Sequence, residues 1–412
     1  MTKRLLVIHY TPPAVIGGVE HIMQEHLRLF ENAGFSVGFV AGREGEPGAS
    51  VTVIPEIDPA RGTGGLVERQ LDSGDVTPAF HDARDSVLRQ LRPLVREADT
   101  VIVHNAFTLH FSLPLTAALW QLAREGLTSM IAWCHDLAWS NPLYVPLMHN
   151  GGPWELLRRP APGVCYVTVS EERRRELSSL WGRAEHGIEV VPNGIDPDEF
   201  LLLSPGTREI VRTHLLYDRD IVLLLPVRIT RRKNIESAIR VIRALCDRGL
   251  DPCFLVSGPE ALHHPGRSAR YLDTLTQLAS ELDVERHVIF LAAEMGANPD
   301  DRTVSELYSV ADVLLFPSSS EGFGIPILEA GLRRVPVVLT DIPIFREVGG
   351  QDVVRFDLDE EPDSVADAVL RSLDKPPARL YRRILREYRW EALANRRIIP
   401  LLEHVMRDTH SE

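Results

Sequence analysis

Residues 313–330 read Val313-Leu314-Leu315-Phe316-Pro317-Ser318-Ser319-Ser320-Glu321-Gly322-Phe323-Gly324-Ile325-Pro326-Ile327-Leu328-Glu329-Ala330. An apolar run of strand length gives way to a glycine turn, and Pro326 suits the first position of the helix that follows, where a missing N–H costs nothing. The amides around Gly322, Phe323, Gly324 and Ile325, with the helix dipole behind them, make an anion site into which a phosphate fits. Glu321 lies in the turn and Glu329 about one turn into the helix. At about 1.5 Å of rise per residue, Glu329 sits roughly a phosphate-to-ribose distance beyond that site. A carboxylate accepts from two vicinal hydroxyls, so Glu329 reads as a ribose clamp and Glu321 as an acceptor for a sugar hydroxyl. Taken alone, two glutamates at this spacing read more simply as a helix cap and a surface residue.

Outward from this stretch, short aliphatic runs alternate with helix-period segments over almost the whole chain, the form of repeated βα units around parallel sheets. The class is α/β. Strands are expected at 4–9, 37–41, 51–54, 100–105, 130–135, 164–170 and 188–192, and again at 221–228, 253–257, 288–292, 313–317, 337–340 and 353–356. Each half thus has enough strands for its own sheet. Two prolines, a glycine and two aspartates between Val191 and Asp198 interrupt any regular element, and Asn193-Gly194 is the expected hinge. Residues 42–77, rich in glycine, proline and charge, read as a long surface excursion with one strand.

Other residues extend the phosphate reading. Arg228 and Lys233 follow the run IVLLLPV; arginine forks onto two phosphate oxygens and lysine supplies a point charge, with Asn234 a possible cap. Gly17-Gly18 opens a helix-period segment, and glycine permits backbone to approach a ligand. His135 ends the run SMIAWC, and His104-Asn105 ends an equivalent one; strand ends are where α/β folds place ligands.

The string P-S-x-x-E-G-F-G-x-P-x-x-E-A resembles the donor-site signature of the retaining glycosyltransferases of family 4 (group 1), which have the GT-B fold: two Rossmann-like domains facing each other across a deep cleft. Arg228 and Lys233 match that family's pyrophosphate-neutralising pair, Gly17-Gly18 its glycine loop, and His135 its histidine near the donor sugar. IEVVPNGID at 188–196 is similar to its interdomain segment, and Tyr388-Arg389-Trp390-Glu391 to its late aromatic helix. The resemblance implies an acceptor domain at 1–192, to which 391–412 return, and a nucleotide-sugar donor domain at 193–390. It implies retaining transfer of a hexose from a UDP-, GDP- or ADP-sugar to a small-molecule or glycan hydroxyl, with His135, Glu321, Arg228 and Lys233 catalytic and no metal or other cofactor. The leaving phosphate would be held by Arg228, Lys233 and helix amides. The chain departs from the pattern at Leu332 and Arg334, where many members carry a small residue and a glycine.

Composition bounds the alternatives. The 412 residues are 44% hydrophobic and 25% charged, with a formal net charge of −13, which argues against nucleic acid or an anionic membrane as a generic partner. The best local basic patch runs from Arg158 through Arg173, Arg174 and Arg175 to Arg183. The longest apolar runs fall far short of the roughly 18 residues of a membrane span, the first residues lack a signal-peptide core, and a cytoplasmic location is expected. Cys134, Cys165, Cys246 and Cys253 form no zinc or CxxC spacing and read as buried free thiols. Three D-x-D pairs, Asp196/Asp198, Asp218/Asp220 and Asp357/Asp359, look like turn residues rather than metal ligands. A bound dinucleotide is not expected, because G-x-G-x-x-G is absent after the first strand. The rival functions are a sugar-nucleotide epimerase on the same fold and a non-catalytic sugar-nucleotide-binding protein.

Overall fold

The computed structural model describes residues 2–13, 17–45, 51–182, 187–259, 265–374 and 376–408. The chain forms two compact units, Met1–Ile195 with Tyr388–Glu412, and Asp196–Glu387. These bounds lie a few residues from the 192/193 and 390/391 divisions read from sequence. Gly194 falls inside the first unit, where an added Cβ would come 2.4 Å from the Trp390 ring. Ile195 is bonded there on both sides, its amide to Tyr388 O at 2.7 Å and its carbonyl from Trp390 N at 3.1 Å.

The first unit holds β1 (Arg4–Ile8), β2 (Ser36–Ala41), β3 (Val51–Val53), β4 (Thr100–His104), β5 (Ser129–Cys134), β6 (Val164–Thr168) and β7 (Ile188–Val190). They pair in parallel in the order β3-β2-β1-β4-β5-β6-β7. Alternate side chains leave opposite faces. Leu6, Ile8, Val101 and Val103 enter one core, and Leu5, Val7, Ile102, Ile131 and Trp133 enter the other. That second core is completed by Met23 and Phe30 from the helix Gly18–Asn32 and by Trp390, Ile398 and Leu402 from the returning C-terminal segment.

The second unit holds β8 (Ile221–Leu225), β9 (Pro252–Val256), β10 (Val288–Phe290), β11 (Val313–Phe316), β12 (Val337–Thr340) and β13 (Val354–Phe356). Again all pairs are parallel, in the order β10-β9-β8-β11-β12-β13. Every residue of β8, β9 and β11 is buried, as a sheet covered on both faces requires. The strand order in each unit is that of a Rossmann fold, reversing between β1 and β4 in the first and between β8 and β11 in the second. The expected α/β class with two parallel sheets is the observed one.

The structure corrects the reading of 42–77. Residues 46–50 lie outside the described residues, but a helix spans Gly62–Asp72 and buries Val67 and Leu71. Gly64 and Gly65 are packing residues, since a Cβ would come 2.2 Å from Asp58 O at the first and 2.8 Å from Ala60 C at the second. The arginine run is not a free basic patch. Arg173, Arg174 and Arg175 each pair with a glutamate three residues away on their own helix, while Arg183 lies outside the described residues. Of the four free cysteines, Cys134 and Cys253 are buried and Cys165 and Cys246 only partly so. No helix among the described residues is long and apolar enough to cross a membrane.

The departure at Arg334 has a backbone consequence. The helix Ile325–Leu332 ends with Arg334 N bonded to Gly331 O at 3.1 Å and Val335 N to Ala330 O at 2.9 Å, a Schellman closure that places Arg334 in the left-handed region at φ 59°. A side chain there is strained by roughly 1 kcal/mol or more. Arg334→Gly should therefore raise stability by about 1 kcal/mol, read as a higher urea midpoint for the second unit at unchanged slope; a lower midpoint would show that the arginine side chain contributes more than the strain removes.

Candidate functional site

Ligands of doubly wound sheets sit outside the carboxyl ends of the strands where their order reverses. In the second unit that point is defined by the loops after β8 and β11, which are bonded to each other: Ser319 N and Oγ both donate to Arg232 O, at 2.8 and 3.2 Å. The β8 loop is also fixed from β9. A Cβ on Gly258 would come 2.2 Å from Val227 O, and Ile229 N donates to Pro259 O at 2.9 Å. Sequence reasoning passed over Gly258, whose role depends on Val227, a neighbour distant in the chain.

These loops bring Lys233 and Glu321 together. The turn Arg231–Lys233 points the lysine inward, and its ammonium is bonded to Glu321 Oε1, with both side chains under a tenth exposed. Nζ also lies 5.1 Å from the Phe316 ring centroid. Burial draws the lysine pKa down, and the bond to Glu321 opposes that fall. The other glutamate oxygen accepts from the exposed Arg232 at 3.0 Å. Arg232 was not singled out in the sequence, because an arginine beside the expected pair looks like part of a solvated basic turn. Asn234 adopts φ 49° but makes no side-chain cap. Arg228 is exposed and has no hydrogen bond or ion pair among the described residues.

Beyond Glu321, Gly322 is exposed, and Phe323 and Ile325 are half-exposed or more. Gly324 is buried at φ 100°, with Phe345 and Ile327 at 3.0–3.1 Å from where its Cβ would be. It caps the helix Ile325–Leu332 without any side-chain bond, so the first-turn amide of Ile325 is left for an anion. Glu329, on the same helix, accepts from the Tyr308 hydroxyl at 2.7 Å. Tyr308 is buried, and burial with the carboxylate's charge raises its pKa. This partner was illegible because it comes from the preceding helix, Asp301–Val310.

In the first unit, the carboxyl ends of β1, β4 and β5 gather His9, His104 and His135, with His26 from the helix Gly18–Asn32. His135 N donates to Asn105 Oδ1 at 2.9 Å, and His135 Nε2 lies 3.0 Å from His104 Nδ1. His26 stands 5.5 Å from His104 and 4.5 Å from Trp133, centroid to centroid. Burial lowers the pKa of His9 to about 4 and of His26 and His135 to about 3, and lowers His104 as well. Gly17 carries the Glu20 carboxylate directly over it, where a Cβ would be 2.2 Å from Oε2. Glu20 Oε1 accepts from Thr11 Oγ1 at 2.7 Å. Gly18 begins the helix with open space around it.

Three aspartates of the first two D-x-D pairs have other partners. Asp196 caps the helix Pro197–Phe200 and Asp198 accepts from Tyr217 at 2.7 Å. Asp220 binds Arg386 and the amide of Asp251, and Asp357 and Asp359 are exposed.

Residues 206–388 match the family described as glycosyl transferases group 1, and residues 16–199 match Glycosyltransferase Family 4. The chain is 26% identical over 374 residues to the mannosylglucosylglycerate synthase of Thermotoga maritima, covering 83% of this chain and 82% of that one. It is 25% identical over 280 residues to the synthase of the same name from Petrotoga mobilis, 64% of each chain. It is 31% identical over 253 residues to the GDP-mannose-dependent alpha-(1-6)-phosphatidylinositol monomannoside mannosyltransferase of Mycolicibacterium smegmatis, 57% of this chain and 58% of that one. In the last two cases the match spans less than two thirds of the relative. Two Rossmann-like units, each matched by a model of the same enzyme group, place the chain in one class. It belongs to the group 1, family 4 glycosyltransferases of GT-B type.

The histidines make the first unit acid-sensitive. A histidine whose folded pKa lies below its unfolded value near 6.5 is neutral in both states above that pH, and below it the unfolded chain binds more protons. Stability is thus lost as pH falls from about 6.5 toward the folded values, by up to about 1.4 kcal/mol per pH unit for each such histidine. His26→Leu should flatten the decline between about pH 7 and pH 5 by about one proton's worth, measured by urea titration at several pH values. An unchanged slope would show that His26 does not titrate on unfolding.

Proposed function

We propose that this chain transfers a hexosyl group from a nucleotide-diphosphate sugar to an acceptor hydroxyl, with retention at the anomeric carbon and without a metal ion. The observation that carries this reading is the buried Lys233–Glu321 pair beside an uncapped helix start, at the point of the second sheet where a ligand is expected. Arg228, free of protein partners among the described residues, and Lys233 supply the positive charge for the departing diphosphate, with the Ile325 amide as a third donor. Stabilisation of that leaving charge is the main catalytic term. Glu329, oriented by Tyr308, takes the ribose hydroxyls, and Glu321 takes a hydroxyl of the transferred sugar. In the first unit, His135 contributes to the transfer step. Asp196, Asp198 and Asp220 are occupied by a helix cap, a tyrosine and an ion pair, which supports assigning the diphosphate to cationic side chains.

The name of the Mycolicibacterium relative makes GDP-mannose the first donor to try, followed by UDP- and ADP-hexoses, with small-molecule and glycan acceptors. Chelation with EDTA should leave the rate intact, and the product anomer by NMR should match that of the donor. Activity that disappears with chelator and returns with Mg²⁺ or Mn²⁺ would sink the metal-free assignment. Lys233→Ala should lower kcat by about 10²-fold or more, and His135→Ala should lower it with little change in nucleotide affinity.

Glu329→Ala should weaken nucleoside-diphosphate binding by about 1–3 kcal/mol by calorimetry. Tyr308→Phe, which removes only the orienting bond, should cost about 1 kcal/mol. Unchanged affinity in a folded Glu329→Ala protein would return that residue to a structural role.

A further inference from the structure

We propose that His104 is a positioning residue that fixes His135 as the tautomer protonated on Nδ1, so that His135 meets its ligand as a hydrogen-bond donor and not as a base. The inference rests on the reading of His135 as a functional residue and adds to it which nitrogen carries the proton.

The two rings are joined edge to edge, His104 Nδ1 to His135 Nε2 at 3.0 Å, with ring planes 21° apart. A contact between two neutral imidazoles requires that one nitrogen donate and the other accept. His104 decides which. Its side chain is fully buried, and its second nitrogen, Nε2, is sealed from water with no partner among the described residues. Trp133 lies nearly parallel to the His104 ring, 28° between planes and 6.0 Å between centroids, so it turns no π face toward the ring edge. Were the His104 proton on Nε2, an N–H donor would be orphaned in the interior; with the proton on Nδ1, only a lone pair is. Orphaned buried N–H groups are the rarer and costlier of the two. Protonation of both nitrogens is opposed by burial and by the neighbouring His135, His26 and His9. His104 is therefore neutral and protonated on Nδ1, and it donates to His135 Nε2.

The proton of His135 then sits on Nδ1. That nitrogen makes no hydrogen bond among the described residues and is not sealed. The backbone of His135 is held at the same time through its amide to Asn105 Oδ1 at 2.9 Å. Asn105 itself adopts φ 61° and is bonded through its amide to Trp133 O at 2.9 Å. Ring and backbone are thus fixed by two consecutive residues at the end of β4. A ring so held presents one N–H outward, suited to a sugar hydroxyl or a phosphate oxygen, and has no outward lone pair with which to take a proton.

Long-range ¹H–¹⁵N correlation on histidine-labelled protein reads the tautomer directly, with signals assigned through His104→Asn and His135→Gln. The expected pattern for both rings is a protonated Nδ1 and an unprotonated Nε2; a protonated Nε2 on His135 in the wild-type protein overturns the proposal whatever the variants do. His104→Leu removes the donor. It should shift the His135 pattern toward protonated Nε2 and lower kcat by about 10- to 100-fold, the scale on which partners that orient a functional histidine act, at unchanged KM for whichever of UDP-, GDP- or ADP-mannose or -glucose is turned over. His104→Asn, whose amide can donate from nearly the place of Nδ1, should restore both pattern and rate. Equal rates in His104→Leu and wild type would overturn the proposal. Transfer that survives His135→Ala, or no turnover across the sugar-nucleotide panel, would remove the underlying functional reading while leaving the tautomer pattern to decide the pairing.

Discussion

A parallel sheet must be covered on both faces, because its strands bury side chains on each and its crossover helices lie on each. This constraint organises both units. In the first, Leu5 and Val7 face one layer and Leu6 and Ile8 the other. The layer containing Leu5 is incomplete without residues from the far end of the chain, Trp390 to Met406. In the second, β8, β9 and β11 are buried along their whole length. With both faces taken, the strand ends are the places left where polar side chains can converge, and the carboxyl ends at the two order reversals collect the residues discussed above.

At the second of these ends the governing quantity is the energy of buried charge. Lys233 is nearly as enclosed as a core residue, and an unpaired ammonium there would cost several kcal/mol. Glu321 compensates it, and Arg232 in turn binds the other glutamate oxygen. A buried pair of this kind adds little net stability, yet loss of one partner is expensive, at about 3–5 kcal/mol. The arrangement therefore keeps a cation poised inside the protein. An anion that entered this point would share an existing counter-charge rather than create a new buried one.

The strands were legible because Val101–Val103, Ile221–Leu225 and Val313–Phe316 are continuously apolar. Their observed ends come earlier where Pro226 and Pro317 cannot donate to a ladder. The helix Gly62–Asp72 was hidden by its own glycines, which lower helix propensity, although Gly64 and Gly65 are demanded by close contact with the backbone of Asp58 and Ala60. In the candidate site, Glu321 and Glu329 were readable from a local motif, while their partners were not. Lys233 is 88 residues from Glu321, and Tyr308 is on another helix. No sequence periodicity links His9, His26, His104 and His135; the strand order β1-β4-β5 makes neighbours of three, and a helix adds the fourth.

The two strand-end clusters solve the burial of ionisable groups in opposite ways. In the second unit the groups are kept charged by pairing, which suits a ligand whose own charge is large and localised, since ionic hydrogen bonds are about twice as strong as neutral ones. In the first unit burial keeps His9, His26, His104 and His135 neutral, and Glu20 is engaged by Thr11. Neutral imidazoles held in one orientation discriminate by the direction of a single N–H, and suit hydroxyl groups, which offer both donor and acceptor. With that end uncharged, what its groups can bind is set by the geometry of their hydrogen bonds and not by charge.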